Sequence, residues 1–268
     1  EIRPRDWSSD VCSSDLGGTA FGWGADGYGA IGISSTASGR SSPIQVGSLP
    51  SWKQIGAGGY HTLFLKTDGT LWSWGWNNYG QLGLGDQTDR SSPVQIGTSS
   101  WTFVAASSTH SAAIRNDGRL FTWGLGATYG ALGLGDLSTR SSPTVVGTSS
   151  WTAVALGTNY SLGITTTGAL FGWGLNTSGQ LGIGTITSVS SPVQIGTSSW
   201  SQVSAGQYHT TAIRSDGLLF AWGENNYGQM CLPTAIYYQK APYNFGGASN
   251  WLFASAGYNH LVATKTDN

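Results

Sequence analysis

Large apolar residues alternate with small or polar ones in short segments that recur along the chain. Segment 71–75 (LWSWG) has this alternation and strong β propensity, so it predicts a strand. Segment 77–86 (NNYGQLGLGD) is rich in glycine and predicts a tightly turning loop. Segments 91–97 and 101–107 predict two more strands, and Asp-Gly within 110–123 predicts a hairpin. No window keeps a helical period, so this stretch predicts about four short strands and no helix.

The pattern repeats with a period of about fifty residues. Two tryptophan columns mark it, one in a Trp-Gly pair and one before the third strand, each recurring at intervals of 49 to 51 residues. The first column is Trp23, Trp74, Trp123, Trp173 and Trp222, and the second is Trp52, Trp101, Trp151, Trp200 and Trp251. Five units are therefore present in at least part. Four strands per unit of this length predict an all-β chain, a β-propeller in which each unit supplies one blade.

Composition excludes several classes of protein. Aromatic residues make up 12% of the 268 residues and charged residues only 9%, with 41 glycines, which suits strands joined by tight turns rather than a disordered chain. The net charge of −1 gives no electrostatic footprint of a nucleic-acid binder. No apolar run approaches the roughly 20 residues of a membrane span. Two cysteines are too few for a disulfide framework.

Residues 1–16 differ from everything downstream. Their core, DWSSDVCSSDL at 6–16, resembles the translation of a sequencing-adapter oligonucleotide. We therefore expect 1–16 to be a non-native segment and 17–268 to be the propeller repeats, with a polar N-terminal strand or cap as the alternative. On this interpretation Cys231 is the one biological cysteine of the chain, and both ends fall within a repeat.

The units share a consensus, L-[FW]-x-W-G-x-N-x-x-G-Q-L-G-x-G followed by S-S-P-V-Q-I-G and G-x-x-H. It resembles the regulator of chromosome condensation (RCC1-type) repeat family over essentially all of 17–268. The match is closest at 74–85 (WGWNNYGQLGLG) and 222–229 (WGENNYGQ). Because family members form seven-bladed propellers, the resemblance implies an incomplete ring with about five of seven blades.

Two activities known in this family can be compared with the residues present. Nuclear members that catalyse nucleotide exchange on the Ran GTPase carry a wedge-like β insertion and a basic tail, and neither is seen here. Plant ultraviolet-B receptors carry Gly-Trp-Arg-His-Thr motifs. The matching segments are 58–62 (GGYHT) and 206–210 (GQYHT), where Gly59 and Gln207 occupy the tryptophan position. Exchange activity, chromatin binding and photoreception are therefore disfavoured.

The recurrent polar residues predict structure rather than chemistry. All four histidines occupy one position of the repeat, which is filled in turn by His61, His110, Tyr160, His209 and His260. One histidine per blade favours hydrogen bonding within each blade over a metal site, whose ligands must converge. Aspartates at the hairpin turns favour capping of backbone amides over paired catalytic carboxylates. We therefore predict no catalytic residue, no metal site and no cofactor.

Two sets of residues are candidates for binding. The fifth unit reads QMCLPTAIYYQKAP at 229–242, where the others continue as a glycine-rich loop, and aromatic-rich irregular loops are common binding sites. This set is Met230, Cys231, Tyr237, Tyr238 and Lys240. A second set, Arg40, Arg90 and Arg140, precedes the Ser-Ser-Pro motif and could form an anion-attracting stripe. Sequence drift or local packing is the alternative for the loop, and a solvated turn face for the arginines.

The hypothesis that follows is a non-catalytic scaffold that binds a protein, or a glycan, through the loop faces of the propeller. One rival is a propeller-based enzyme module of the lyase or glycosidase kind, and another is a structural repeat within a larger surface or virion-associated protein. An extracellular or virion-associated setting is favoured over a nuclear one by the low charge and high Ser, Thr, Gly and Asn content.

Overall fold

The computed structural model describes residues 18–36, 39–47, 51–233, 235–245 and 247–266. The predicted non-native segment 1–16 and the turn residue Asp267 lie outside these ranges. Within them, every regular element is a β-strand, as predicted. The strands are β1 (Phe21–Gly24), β2 (Arg40–Gln45), β3 (Trp52–Ala57), β4 (His61–Lys66), β5 (Leu71–Gly75), β6 (Arg90–Gln95), β7 (Trp101–Ala106), β8 (His110–Arg115), β9 (Arg119–Gly124), β10 (Arg140–Leu156), β11 (Tyr160–Thr165), β12 (Ala169–Gly174), β13 (Val189–Ala205), β14 (His209–Arg214), β15 (Leu219–Glu224), β16 (Tyr238–Asn244), β17 (Trp251–Ala256) and β18 (Leu261–Lys265).

Neighbouring strands pair as antiparallel meanders of four. Strand β3 pairs with β4, β4 with β5 and β5 with β6, and this order repeats from β7 onwards. The long strands β10 and β13 each pair at one end with the strand before them and at the other with the strand after them. A blade therefore begins at the second tryptophan column, two strands before the start of the sequence repeat.

The described residues form two compact units, 18–127 with 138–149, and 128–137 with 150–266. The core of the first unit contains Leu63, Leu71 and Trp123. The core of the second contains Leu162 and Trp222. The inner strands are buried on both faces: all six residues of β11 are buried, as are five of six in β4. This double burial explains why β4 has three consecutive apolar residues, Leu63, Phe64 and Leu65, rather than a strict alternation.

Each fully buried tryptophan of the first column joins its own blade to the loop of the blade before it. The indole N–H of Trp74 donates to the carbonyl of Ala30 at 2.8 Å, and that of Trp123 donates to the carbonyl of Gln81 at 2.9 Å. The second unit repeats this geometry, in which Trp173 donates to Ala131 at 2.9 Å. The same carbonyl also accepts a side-chain hydroxyl from the blade that carries the tryptophan: the Ser161 hydroxyl, for example, donates to the carbonyl of Ala131 at 2.8 Å. One carbonyl oxygen of the loop therefore accepts two hydrogen bonds. The motif Gly-Gln-Leu-Gly therefore serves packing between blades.

Candidate functional site

The irregular loop of the fifth repeat places most of its candidate residues on the surface. Tyr237 is 67% exposed and Tyr238 40% exposed, and the side chains of Cys231 and Lys240 are exposed as well. We call these four residues the fifth-repeat surface. Met230 lies elsewhere: its side chain is fully buried in the position that Leu82 and Leu181 occupy in other repeats, so it packs the blade and does not face a partner.

Backbone hydrogen bonds hold the fifth-repeat surface in place. The amide of Asn225 donates to the carbonyl of Tyr237 at 2.7 Å, and Tyr238 pairs with Glu224 in the sheet. The carbonyl of Lys240 accepts the amide of Gly184 at 2.8 Å, so the preceding loop contacts the Lys240 backbone while its side chain stays exposed. The exposed groups are therefore presented by ordered backbone.

The asparagine of the repeat consensus, to which the sequence assigned no role, organises the glycine loop in three repeats. In the second repeat, Asn77 Oδ1 accepts the amide of Leu82 at 2.9 Å, and Asn77 Nδ2 donates to the carbonyl of Thr88 at 3.1 Å. Asn176 and Asn225 make equivalent bonds in their repeats. In the fifth repeat this bond anchors the irregular loop at Ile236. The signal was present in the sequence as an Asn two residues after each of three Trp-Gly pairs.

Asp26 takes the asparagine position in the first repeat and cannot make the same set of bonds. Its Oδ1 accepts the amide of Ile31 at 2.9 Å, but its Oδ2 stands where Asn77 has a donor. That oxygen is buried and has no hydrogen-bond partner among the described residues. Burial raises the pKa of Asp26, while the Ile31 amide and the charge of Arg40 oppose the rise.

We expect Asp26→Asn to raise the free energy of unfolding at pH 7 by about 1–2 kcal/mol, because the amide restores the missing donor. Because its pKa is raised, Asp26 makes the wild-type fold lose stability as the pH rises from about 3.9 through the folded-state pKa. The stability gained by Asp26→Asn should therefore shrink at low pH. Urea unfolding at pH 7 and pH 4 measures both effects. The reciprocal change Asn77→Asp should destabilise; equal effects of the two changes would refute this explanation.

Four of the five side chains at the histidine position are buried (His61, His110, Tyr160 and His209), whereas His260 is exposed. His61 Nε2 lies 2.8 Å from Ser111 Oγ in the next blade, so the predicted bond within a blade is replaced here by one between blades. His110 does bond within its blade, with Nδ1 2.7 Å from Ser107 Oγ. In the second unit Tyr160, which replaces histidine, donates its hydroxyl to the carbonyl of His209 at 2.5 Å. His61 and Tyr160 therefore join consecutive blades, while His110 also holds its own blade together.

Burial also explains the Gly-x-x-His motif and the protonation of the histidines. A Cβ on Gly58 would lie 2.6 Å from His61 Nδ1, so the turn has room only for glycine there. Desolvation lowers the pKa of His61 to about 3, with the His110 charge adding to the effect, and lowers the pKa values of His110 and His209 to about 4. These three imidazoles are neutral at pH 7.

We expect the fold to lose stability as pH falls from 6.5 towards 4. A histidine whose pKa is depressed in the folded state takes up a proton first in the unfolded chain, so its contribution is complete above pH 6.5 and declines below it. The slope approaches about 1.4 kcal/mol per pH unit for each buried histidine. Urea unfolding at several pH values measures the loss, and NMR of the imidazole C–H groups measures each pKa. Titration of His61 near 6.5 would contradict the assignment.

The turn aspartates cap backbone amides, as predicted. Asp68 Oδ1 accepts the amide of Thr70 at 2.9 Å, and Asp117 accepts the amide of Arg119 at 3.2 Å. Asp117 also pairs with Arg115, whose guanidinium lowers the pKa of that carboxyl to about 2.

The arginine column makes local bonds. Arg90 Nη2 lies 2.6 Å from Asp86 Oδ2, and Arg90 Nη1 donates to the carbonyl of Thr88 at 2.8 Å. Arg140 Nη1 donates to the carbonyl of Thr139 at 3.4 Å, and Arg40 lies close enough to Asp26 to lower its pKa. The charge of Arg90 is thus largely compensated within its own loop, which weakens the predicted anion-attracting stripe.

Neither of two open clefts in the described part of the chain holds a pair of carboxylates. One, of about 390 Å³, is lined by Trp101, Phe121 and uncharged neighbours. The other, of about 310 Å³, contains Asp216, which is paired with Arg214. The described ranges contain no group of three His, Cys, Asp or Glu side chains that could hold a metal ion. They also contain no helix long and apolar enough to cross a membrane.

Models of the regulator of chromosome condensation (RCC1) repeat match residues 17–65, 68–114, 117–164 and 167–213. The chain belongs to the RCC1 repeat family. A second RCC1 repeat model matches 52–81, 101–130, 151–180 and 200–229, a frame that starts at the second tryptophan column, as the blades do. The family predicted from the consensus is therefore confirmed.

Individual RCC1 relatives match over shorter stretches. The probable E3 ubiquitin-protein ligase HERC3 of Homo sapiens is 34% identical over 98 residues, which cover 36% of this chain and 9% of HERC3. The ultraviolet-B receptor UVR8 of Arabidopsis thaliana is 51% identical over 43 residues, covering 16% of this chain and 10% of UVR8. The matched segments thus span about a tenth of each curated relative.

Among solved structures, the chain is similar to Prp20p from Saccharomyces cerevisiae, with a TM-score of 0.83 and 20% identity over 96% of this chain and 67% of Prp20p. This similarity confirms the predicted fold, a β-propeller of RCC1-type blades.

Proposed function

We propose that this chain is a non-catalytic RCC1-repeat scaffold that binds a partner protein through the fifth-repeat surface. The observation that carries the proposal is the exposure of two adjacent tyrosines, Tyr237 and Tyr238, whereas the described parts of the corresponding loops expose at most one large apolar residue, such as Leu137 or Ile186. Tyrosine is enriched at the centres of protein interfaces, because its ring buries a large area and its hydroxyl can still bond.

The hydrogen bonds that anchor this surface support the proposal. Its backbone is anchored by Asn225 and by the contact between Gly184 and Lys240. Binding to an ordered surface avoids the entropy cost of fixing a flexible loop, so more of the contact energy appears as affinity. Lys240 adds an exposed positive charge to this surface, and Glu224, which pairs with Tyr238 in the sheet, adds a partly exposed carboxylate, so groups of both charge signs can contact a partner.

The recurrent side chains support a non-catalytic role. A general base works best with a pKa near the operating pH, whereas burial holds the pKa values of His61, His110 and His209 well below it. The turn aspartates cap amides or pair with arginine, and a glycosidase needs two carboxylates across one site. These groups are all engaged in holding the blades.

The relatives also favour a protein as the partner. Prp20p binds Gsp1p and histones, and both are proteins. HERC3 is named for a ligase activity, but the segment that matches this chain covers only 9% of HERC3. The match therefore gives no reason to propose a ligase here.

Site-specific photo-cross-linking tests the proposal. p-Benzoylphenylalanine is placed at position 237 and, as a matched control, at Tyr227, which is 70% exposed but lies outside the fifth-repeat surface. In an extract of the source organism we expect a discrete protein adduct from position 237 and none from 227. The absence of an adduct from 237, or equal labelling from both positions, would refute the proposal.

A further inference from the structure

Four aromatic side chains meet on the surface between the first two repeats, well apart in sequence from the fifth-repeat surface. Tyr28 lies in the loop after β1, Tyr60 in the turn between β3 and β4, and Trp76 and Tyr79 in the loop after β5. The ring centroid of Tyr28 is 5.6 Å from that of Tyr60 and 5.8 Å from that of Trp76. Trp76 is 5.9 Å from Tyr60 and 5.3 Å from Tyr79. We call these four residues the aromatic cluster.

The fold fixes the aromatic cluster in position. The amide of Trp76 donates to the carbonyl of Tyr60 at 2.8 Å, which joins the two turns directly. Tyr79 follows Asn77, and its amide donates to the side chain of Gln81 at 2.9 Å. The rings stand mostly edge to face, with interplanar angles of 75° for Tyr28–Tyr60 and 83° for Tyr60–Trp76. Their relative tilts form a ridged surface rather than one flat plane.

The cluster is half-exposed, and its side-chain polar atoms have no hydrogen-bond partner in the described ranges. Tyr28 is 43% exposed and Tyr60 53% exposed, while Trp76 and Tyr79 are partly buried. Among the described residues, no hydrogen bond engages the three tyrosine hydroxyls or the indole N–H of Trp76. The other repeats have Ala25, Leu125, Leu175 and Glu224 at the Trp76 position, so the cluster occurs once among the described residues, and blade construction does not account for it.

The chemistry of the cluster selects a class of ligand. Segments 27–30, 58–60 and 76–80, which form this surface, contain no charged residue. They present hydrophobic rings whose free polar atoms include an indole donor and three hydroxyls. A complementary ligand is uncharged, has apolar surfaces that fit between tilted rings, and offers carbonyl acceptors with few donors of its own. A proline-rich segment in the polyproline II conformation has these properties, since proline lacks an N–H and keeps a solvated carbonyl.

We propose that the aromatic cluster binds an uncharged, proline-rich segment of a protein. The preformed polyproline II helix loses little entropy on binding, and tilted aromatic rings are the kind of surface that receives it. The proposal concerns a second surface and stands independently of the partner of the fifth-repeat surface.

An array of capped, uncharged twelve-residue peptides tests this. Each proline-rich peptide is paired with one in which alanine replaces every proline, and the full 268-residue chain is the probe. We expect the chain to select a subset of the proline-rich peptides over their alanine partners. Isothermal titration of the best peptide should show a loss of roughly tenfold or more for Trp76→Ala and a smaller loss for Tyr60→Phe, which removes one hydroxyl only.

The matched control is Tyr227→Ala, which removes an exposed tyrosine from the Asn-Asn-Tyr-Gly motif of the fifth repeat and should leave peptide affinity unchanged. Thermal melts check that each variant is folded, and Tyr60→Phe keeps the test valid if Trp76→Ala unfolds. No preference for proline, equal loss in the control, or binding of maltoheptaose in place of peptide would overturn the proposal.

Discussion

Replacing Trp173 with alanine is expected to lower the free energy of unfolding by about 3–5 kcal/mol, the range for removal of a large buried aromatic side chain. The indole is fully buried, lies 5.8 Å from the ring of Trp151 and donates to the carbonyl of Ala131 at 2.9 Å. Its loss leaves a cavity within the blade and removes one of the two hydrogen bonds that the carbonyl of Ala131 accepts. Urea unfolding followed by circular dichroism measures the change.

Two variants separate these contributions. Trp173→Phe keeps most of the packing and loses the bond to Ala131, so it should cost less than the alanine variant. Leu252→Ala removes a leucine that is 65% exposed and should change the free energy by no more than about 0.5 kcal/mol. If Trp173→Ala costs no more than Leu252→Ala, the first tryptophan column does not hold the blades together.

Replacing Gly182 with alanine is expected to destabilise the fold by about 2–4 kcal/mol. Gly182 has φ +72°, which costs a residue with a Cβ about 1 kcal/mol, and that Cβ would lie 2.6 Å from Trp222 Nε1. Relief of the overlap must move the indole that donates to Gln180 at 2.9 Å, which adds about 1–3 kcal/mol. Urea unfolding measures the sum.

Gly184 is a matched control in the same loop. Its φ is +81°, but a Cβ there would meet no atom within 4 Å, so Gly184→Ala should cost only the backbone contribution of about 1 kcal/mol. The difference between the two variants isolates the contact with Trp222. Equal costs would show that the packing of Gly182 against the indole contributes nothing.

The strands and the repeat could be predicted because both depend on local pattern. Segments 71–75 and 101–107 coincide with β5 and β7 to within one residue. The grouping of strands into blades depends on which segments pair with one another in the fold. The repeat period does not show this, because it is the same whichever strand is counted as the first of a repeat. The structure begins each blade at the second tryptophan column, so a blade contains parts of two consecutive sequence repeats.

The sites were predicted less completely, for a physical reason. Reading down the repeat columns identified His61 as structural, but not that it bonds to Ser111 in the next blade. A comparison of equivalent positions in the repeats emphasises residues that recur and gives no information about residues that occur once. Tyr28 and Trp76 are far apart in sequence, and only the packing of adjacent loops brings their rings within 5.8 Å.

The residues of the repeat thus have two kinds of role. Those that recur, such as the buried tryptophans and the turn aspartates, form the bonds within and between blades. Some of those that occur once, such as Met230 and Tyr160, are buried and pack the blades, whereas Tyr237 and Tyr238 lie on the surface of this regular framework and are available to a partner. Loop variation on a constant scaffold is a common way to change function without changing the fold.

Isothermal titration of the protein captured by cross-linking from position 237 tests this division most directly. The account predicts that Tyr237→Ala combined with Tyr238→Ala weakens binding roughly tenfold or more, while the free energy of unfolding stays within about 0.5 kcal/mol of wild type. Asp117→Ala, at a recurrent turn, should leave the affinity unchanged. Full affinity in the double tyrosine variant, or a tenfold loss in Asp117→Ala, would contradict it.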